Sequence, residues 1–174
     1  MARLANTHGG GSKTNLNGLH FEQQTSLDDA LKDKGYIIDE NGYVYKGNQQ
    51  IGISAPKHKL YKIILEPKGV DYKKIISKKI LPDEAFLNLS NNTVYIIEKK
   101  FQNGSGSVDE KIQTCDFKKK QYQKMTKSLN MKVEYTYILS DWFKQEMYAD
   151  VLDYIKEMQC DYRFVDNFYT FNLL

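Results

Sequence analysis

A chain of 174 residues, 41% of them hydrophobic, is the size of one domain and can bury a single sizeable core. Thirteen tyrosines and eight phenylalanines exclude a disordered body, and a formal charge of +3 suits a polyanionic partner but excludes a DNA-packing protein. Cys115 and Cys160 stand far apart without a CxxC or Cys/His cluster, which argues against a zinc site or a disulfide framework and for reduced structural thiols.

No apolar run is long enough to span a bilayer, and the first residues lack a charged start followed by an apolar stretch. The expectation is a cytoplasmic protein with no membrane partner. Residues 1–15, rich in Gly, Ser, Thr and Asn, read as a flexible N-terminal arm, with residues 16–174 forming one domain. GGGSK within the arm lacks the first glycine and the spacing of a Walker A loop, although Lys13 is a candidate phosphate contact.

From Leu16 the chain predicts one helix ending at Gly35, with Leu27, Ala30 and Leu31 on its apolar face. YIIDENGYVYKG predicts two short strands around an Asn41-Gly42 turn. KLYKIILE fits helix or strand, Pro67-Lys68-Gly69 breaks it, and DYKKIISKK reads as a short helix. DEAFLNL and TVYIIEKKF predict strands joined by a tight turn at Asn91-Asn92, asparagine tolerating positive φ. Ser107 to Glu110 forms a capping box opening a helix whose Val108, Ile112, Cys115, Tyr122 and Met125 share a face. KVEYTYIL predicts a strand, a helix through Val151, Ile155 and Met158 follows, and YRFVDNFYTF has strand character.

The hairpin carries the chemistry. With a two-residue loop, Asp83 faces Lys100 and Ala85 faces Glu98. Because strand side chains alternate, Asp83, Ala85, Glu98 and Lys100 then share one face, and Glu84, Lys99 and Phe101 the other. Diagonal neighbours on such a face lie roughly 7–8 Å apart, a span that one hard cation bridges between two carboxylates. The rest of the face is apolar (Leu87, Leu89, Val94, Ile96), so charge is concentrated at one end, the rim of a core. An Asp83–Lys100 pair can equally be a cross-strand ion pair worth a fraction of a kcal/mol, about 0.2–1. The spacing alone fits both.

Pro82-Asp83 followed by Glu98-Lys99-Lys100 resembles both halves of the PD-(D/E)XK nuclease signature, and the resemblance covers most of the chain. GSGSVDEKIQTCDFKKKQYQK also looks like restriction-type members of that superfamily. The resemblance implies an α/β restriction-endonuclease-like core (α-β-β-β-α-β), a central mixed sheet flanked by helices, running from the Leu19 helix through the hairpin to KVEYTYIL. It implies a Mg²⁺-dependent DNA endonuclease, with Mn²⁺ as a substitute, acting on double-stranded DNA as a homodimer.

Carried over residue by residue, Asp83 and Glu98 are the metal ligands, the Lys99 carbonyl a further ligand and Lys100 the catalytic lysine. Glu22 is the candidate for the glutamate that many members place near the metal from the first helix. Gln102, two residues beyond Lys100, is a candidate for approaching the attacking water or the phosphate. Lys111, Lys118, Lys119 and Lys120 give the following helix a basic surface suited to phosphates, and also fit an ordinary solvated helix face. Gln113 and Gln121 form no QxxxY motif with a downstream tyrosine, which disfavours a RecB-like exonuclease. His8, His20 and His58 show no HNH or HxxxH spacing, and no GxSxG occurs. The alternatives are a structure-selective repair or junction nuclease of the same fold, a silent DNA-binding module, and an interaction domain with a fortuitous motif.

Overall fold

A computed structural model of the chain describes residues 18–104 and 108–165. The expected arm at 1–15 with Lys13, the Ser107 cap and the end of the C-terminal strand beyond Val165 lie outside the described residues.

The single first helix is corrected to two. Helix α1 (18–24) stops where the Thr25 hydroxyl turns back to donate to the Phe21 carbonyl at 2.7 Å. Ser26, in an extended conformation, then caps α2 (Leu27–Asp33) by accepting from the Asp29 N–H at 3.3 Å. Asp28 and Asp29 follow in its positively polarised first turn. Ser26→Ala is therefore expected to cost about 1 kcal/mol, measurable as a lowered urea midpoint with an unchanged slope.

Among the described residues seven strands form one mixed sheet in sequential order: β1 (Ile37–Ile38), β2 (Tyr43–Lys46), β3 (Gln49–Ser54), β4 (Glu84–Asn88), β5 (Thr93–Lys100), β6 (Lys132–Leu139) and β7 (Asp161–Phe164). The first five make an antiparallel meander, while β5–β6 and β6–β7 are parallel. Parallel neighbours need a crossover. The first is α3 (Val108–Lys111) and α4 (Cys115–Thr126), and the second is α5 (Ala149–Glu157). The expected turn at Asn41-Gly42 is present, with Gly42 at φ +94°.

Between β3 and β4 the ambiguous KLYKIILE is helical: a π-helical segment (Leu60–Leu65) runs into a 3₁₀ turn (Glu66–Lys68). Its Leu60, Tyr61, Ile64 and Leu65 are buried against the sheet while Lys59 and Lys62 face out. The helix expected in DYKKIISKK is only a 3₁₀ turn at Tyr72–Lys74.

Two cores lie on opposite faces of the sheet. One gathers Ala85, Leu87, Val94, Ile96, Tyr135 and Tyr137 with Tyr61, Ile64, Ile112, Cys115, Tyr122, Met125 and Ile155 of the helices. The other gathers Phe86, Ile97 and Ile138 with Phe21, Leu27, Ala30 and Leu31 of α1 and α2. The chain is thus an α/β protein with helices on both faces of a mixed sheet. Ile112, Cys115, Tyr122 and Met125 share the buried face expected of them, and both cysteines are free and buried.

Candidate metal and catalytic site

The site begins where one strand outruns its neighbour. The β4–β5 ladder pairs Asn88 with Thr93 and ends with Glu84 against Ile97. This corrects the expected register by two residues. The loop holds four residues, and the ladder, continued by one step, brings Asp83 level with Glu98 instead of Lys100. A shift of two preserves faces, so Asp83, Glu98 and Lys100 still share one.

On its other side β5 stays paired to β6 through Glu98, Lys99 and Lys100. Towards β4, those last residues have no ladder partner. Pro82 lacks an N–H and cannot extend β4 as a donor. The Asp83 carboxylate takes over as acceptor, receiving the Lys99 N–H at 2.7 Å.

Three oxygens converge on the Lys100 ammonium: Glu98 Oε2 at 3.0 Å, the Lys99 carbonyl at 3.0 Å and Asp83 Oδ2 at 3.6 Å. These are the oxygens that the sequence nominated as ligands, gathered here around one positive point. They are hard donors of the kind Mg²⁺ prefers. Among the described residues no group of three or more His, Cys, Asp or Glu side chains could hold a metal, so the set amounts to two carboxylates and one carbonyl.

Glu98 is only 3% exposed, and its Oε1 has no hydrogen-bond partner among the described residues. Its Oε2 carries two ammoniums, Lys100 and Lys118, the latter at 2.9 Å. A carboxylate this deep costs several kcal/mol (roughly 3–5) if left uncompensated, and an orphaned buried oxygen about 1–3 kcal/mol. The Tyr122 hydroxyl, on the same face, is likewise buried with no partner among the described residues, and the Tyr135 hydroxyl, also buried, meets that of Tyr137. Burial first, and then the charge of Glu98, push both hydroxyls up, so they remain neutral. Buried, unspent oxygens beside converging acceptors fit a site that takes a cation.

The opposite face holds a separate ion pair. Lys99 reaches Glu84 at 2.7 Å, their side chains 5% and 13% exposed, and donates also to the Glu22 carbonyl at 3.2 Å. Burial pushes the Glu84 carboxyl up, an effect that Lys99 partly offsets. Glu22 itself is exposed and lines an open cavity with Asp83, Glu84, Lys57 and Lys99. The structure thus brings Glu22 to the same cavity as Asp83, with its backbone bound to Lys99.

Gln102 lies beyond the end of β5 and is buried, its backbone N–H donating to Ser140 Oγ at 3.1 Å and its carbonyl accepting from that hydroxyl at 2.9 Å. It is a packed position, not one open to the phosphate. The lysine run also divides. Lys111 and Lys120 are exposed, Lys120 pairing with Asp116 at 2.8 Å. Lys118 turns inward to Glu98. Lys119 is 7% exposed and its ammonium donates to the Gln159 carbonyl, which corrects its assignment to a phosphate-facing surface.

Tyr122, Tyr135 and Tyr137 are site residues that the sequence reading did not name as such. Tyr137 stands level with Glu98 on β6, its ring centroid 5.9 Å from the Lys100 ammonium. The period-two pattern of KVEYTYIL was the available signal for both β6 tyrosines. Comparison of the chain with protein-family models, with curated proteins and with solved structures gives no match in any of the three. No helix among the described residues is long and apolar enough to cross a membrane.

Proposed function

We propose that this chain is a Mg²⁺-dependent DNA endonuclease with a PD-(D/E)XK site, a cytoplasmic, type II restriction-like homodimer that hydrolyses phosphodiester bonds of double-stranded DNA. The observation that carries the reading is the convergence of Asp83, Glu98 and the Lys99 carbonyl on one cationic point at an unpaired strand edge. The order of elements supports it: α2, β3, β4, β5, α4 and β6 follow the α-β-β-β-α-β order of the restriction-endonuclease-like core once β1 and β2, between α2 and β3, and the helical segment 60–68, between β3 and β4, are set aside as insertions.

Asp83, Glu98 and the Lys99 carbonyl would hold the metal, Mg²⁺ or its substitute Mn²⁺. Bound there, it would neutralise charge on the scissile phosphate and acidify water. The remaining work falls to the chain itself. The Lys99 N–H fixes the Asp83 carboxylate in orientation. Lys100, released from the carboxylates, donates to the attacking water and offsets the negative charge that develops on the phosphate. Tyr137 bounds the space around its ammonium, and exposed Lys111 and Lys120 supply contacts to flanking phosphates.

The test is a panel of substrates incubated with Mg²⁺, with Mn²⁺ and with a chelator. Metal-dependent cutting of duplex plasmid into discrete fragments is the expected result. Cutting confined to branched DNA would replace the restriction-like reading with a structure-selective one. Metal-independent retention of DNA without cutting would point to a silent binding module.

A further inference from the structure

Lys118 is the part of the site for which the motif offers no role. It projects from α4 one turn before buried Tyr122, and its ammonium shares Glu98 Oε2 with Lys100, at 2.9 and 3.0 Å. The four ionised groups cancel: two carboxylates, Asp83 and Glu98, against two ammoniums, Lys100 and Lys118. A divalent cation approaching this set meets no net attraction from it. To take Glu98 Oε2 it must also sit beside any ammonium that stays there, and like charges a few ångströms apart repel strongly in a partly buried site.

The two lysines differ in what they can do next. Lys100 sits on the strand with its side chain 15% exposed and contacts both carboxylates. Lys118 reaches in from the helix, is 27% exposed, and stands on the same turn of α4 as exposed Phe117 and Lys120. It has a path from the carboxylate to solvent, where a phosphate would compete for it.

We infer that Lys118 is a positioning residue that makes tight divalent-metal binding conditional on nucleic acid. Without a polyanion it holds Glu98 in a neutralised pair. When phosphates enter, its ammonium passes to them and Glu98 passes to the metal. This inference rests on the reading of Asp83 and Glu98 as a metal centre, and it concerns metal affinity, a quantity measurable without any cleavage.

The experiment is a Mn²⁺ titration of the full, DNA-free chain, following the resonance of unbound Mn²⁺, for wild type, Lys118→Met, Lys118→Arg and Asp83→Asn. Lys118→Met keeps most of the aliphatic stem and removes the charge, and is expected to bind Mn²⁺ at least about tenfold more tightly than wild type. Lys118→Arg keeps the charge and should stay near the wild-type affinity. A packing lesion loosens a site, so a gain in affinity separates the proposed role from a structural one, and thermal melts of each variant report folding independently.

An affinity for Mn²⁺ that is unchanged or weakened in Lys118→Met overturns the inference, whatever becomes of cleavage. If Asp83→Asn binds as tightly as Lys118→Met, the ion is not held by the carboxylate pair, and the metal-centre reading falls with the inference. Plasmid cutting by wild type alongside unchanged affinity in Lys118→Met leaves the nuclease reading standing and removes only the role of Lys118.

Discussion

Replacing Glu98 by glutamine is expected to lower metal-dependent DNA cleavage by on the order of 10³-fold, the scale of removing one electrostatic anchor from a catalytic site. Glutamine keeps the length and planarity of the side chain, so packing against β6 changes little. What it removes is the charge that two ammoniums share through Oε2. An amide oxygen is a weaker ligand for a hard cation, and its NH₂ group would oppose whichever ammonium it faced. The variant is also expected to lose about 1–3 kcal/mol of stability, because the lysines lose a partner that is itself only 4% exposed. Cleavage rates at equal concentrations of folded protein, together with urea melts, separate the two effects. A Glu98→Gln rate within threefold of wild type would mean that Glu98 is a structural ion-pair partner and no ligand.

Gly52→Ala should be among the most damaging single-methyl changes in the sheet. Gly52 lies on β3 opposite Asn88 of β4, and a β-carbon there would stand 2.2 Å from Phe86 Cζ, 2.6 Å from its Cε2 and 2.8 Å from the Leu87 carbonyl. Phe86 is fully buried in the core beneath α1 and α2, so its ring can yield only by displacing that layer. The Leu87 oxygen is backbone and yields only by opening the β3–β4 ladder. Overpacking of this kind costs typically 1–3 kcal/mol and occasionally more, and a clash with both a ring and a carbonyl belongs at about 3 kcal/mol. Urea unfolding should show a lowered midpoint with an unchanged slope. A loss below about 0.5 kcal/mol, the range of a neutral surface change, would show that the sheet repacks freely here.

The hairpin that carries the site was legible because two short β-forming runs flank an Asn-rich turn. DEAFLNL and TVYIIEKK put apolar residues on two faces, and the end of one face is charged. Loop length was the part that alternation could not settle. The Asn88 side chain accepts from the Ser90 N–H at 2.7 Å, Asn91 accepts from the Thr93 N–H at 3.1 Å, and Asn92 adopts φ +53°. Side-chain turns of this kind draw Leu89 and Ser90 out of the ladder and move the register by two. The site survives that error because a shift of two leaves every side chain on its face.

Other features were hidden for identifiable reasons. Strand β3 opens with two glutamines and contains Gly52, so its pattern is weak, and its place follows from tertiary pairing with β2 and β4. KLYKIILE is apolar enough for either structure, and its buried positions 60, 61, 64 and 65 emerge as helical only once packed. The break between α1 and α2 falls in the polar run 22–26 and was signalled by Ser26 before an acidic turn, a cap that reading one helix up to Gly35 passes over. In the run of lysines, composition cannot distinguish Lys120, which stays in solvent, from Lys118 and Lys119, whose stems lead their ammoniums to Glu98 and the Gln159 carbonyl.

In the function proposed, Asp83, Glu98 and Lys100 act together on a phosphodiester with a divalent metal. Its most direct test is the rate of loss of supercoiled plasmid in Mg²⁺ with enzyme in excess, for wild type, Asp83→Asn and Lys100→Met, each verified as folded. Wild type is expected to nick and linearise the plasmid, chelation to suppress the cutting, and both variants to lose on the order of 10²-fold or more of the rate. Wild-type protein that leaves plasmid intact at every metal concentration, or cuts it no faster than the two variants, would contradict it.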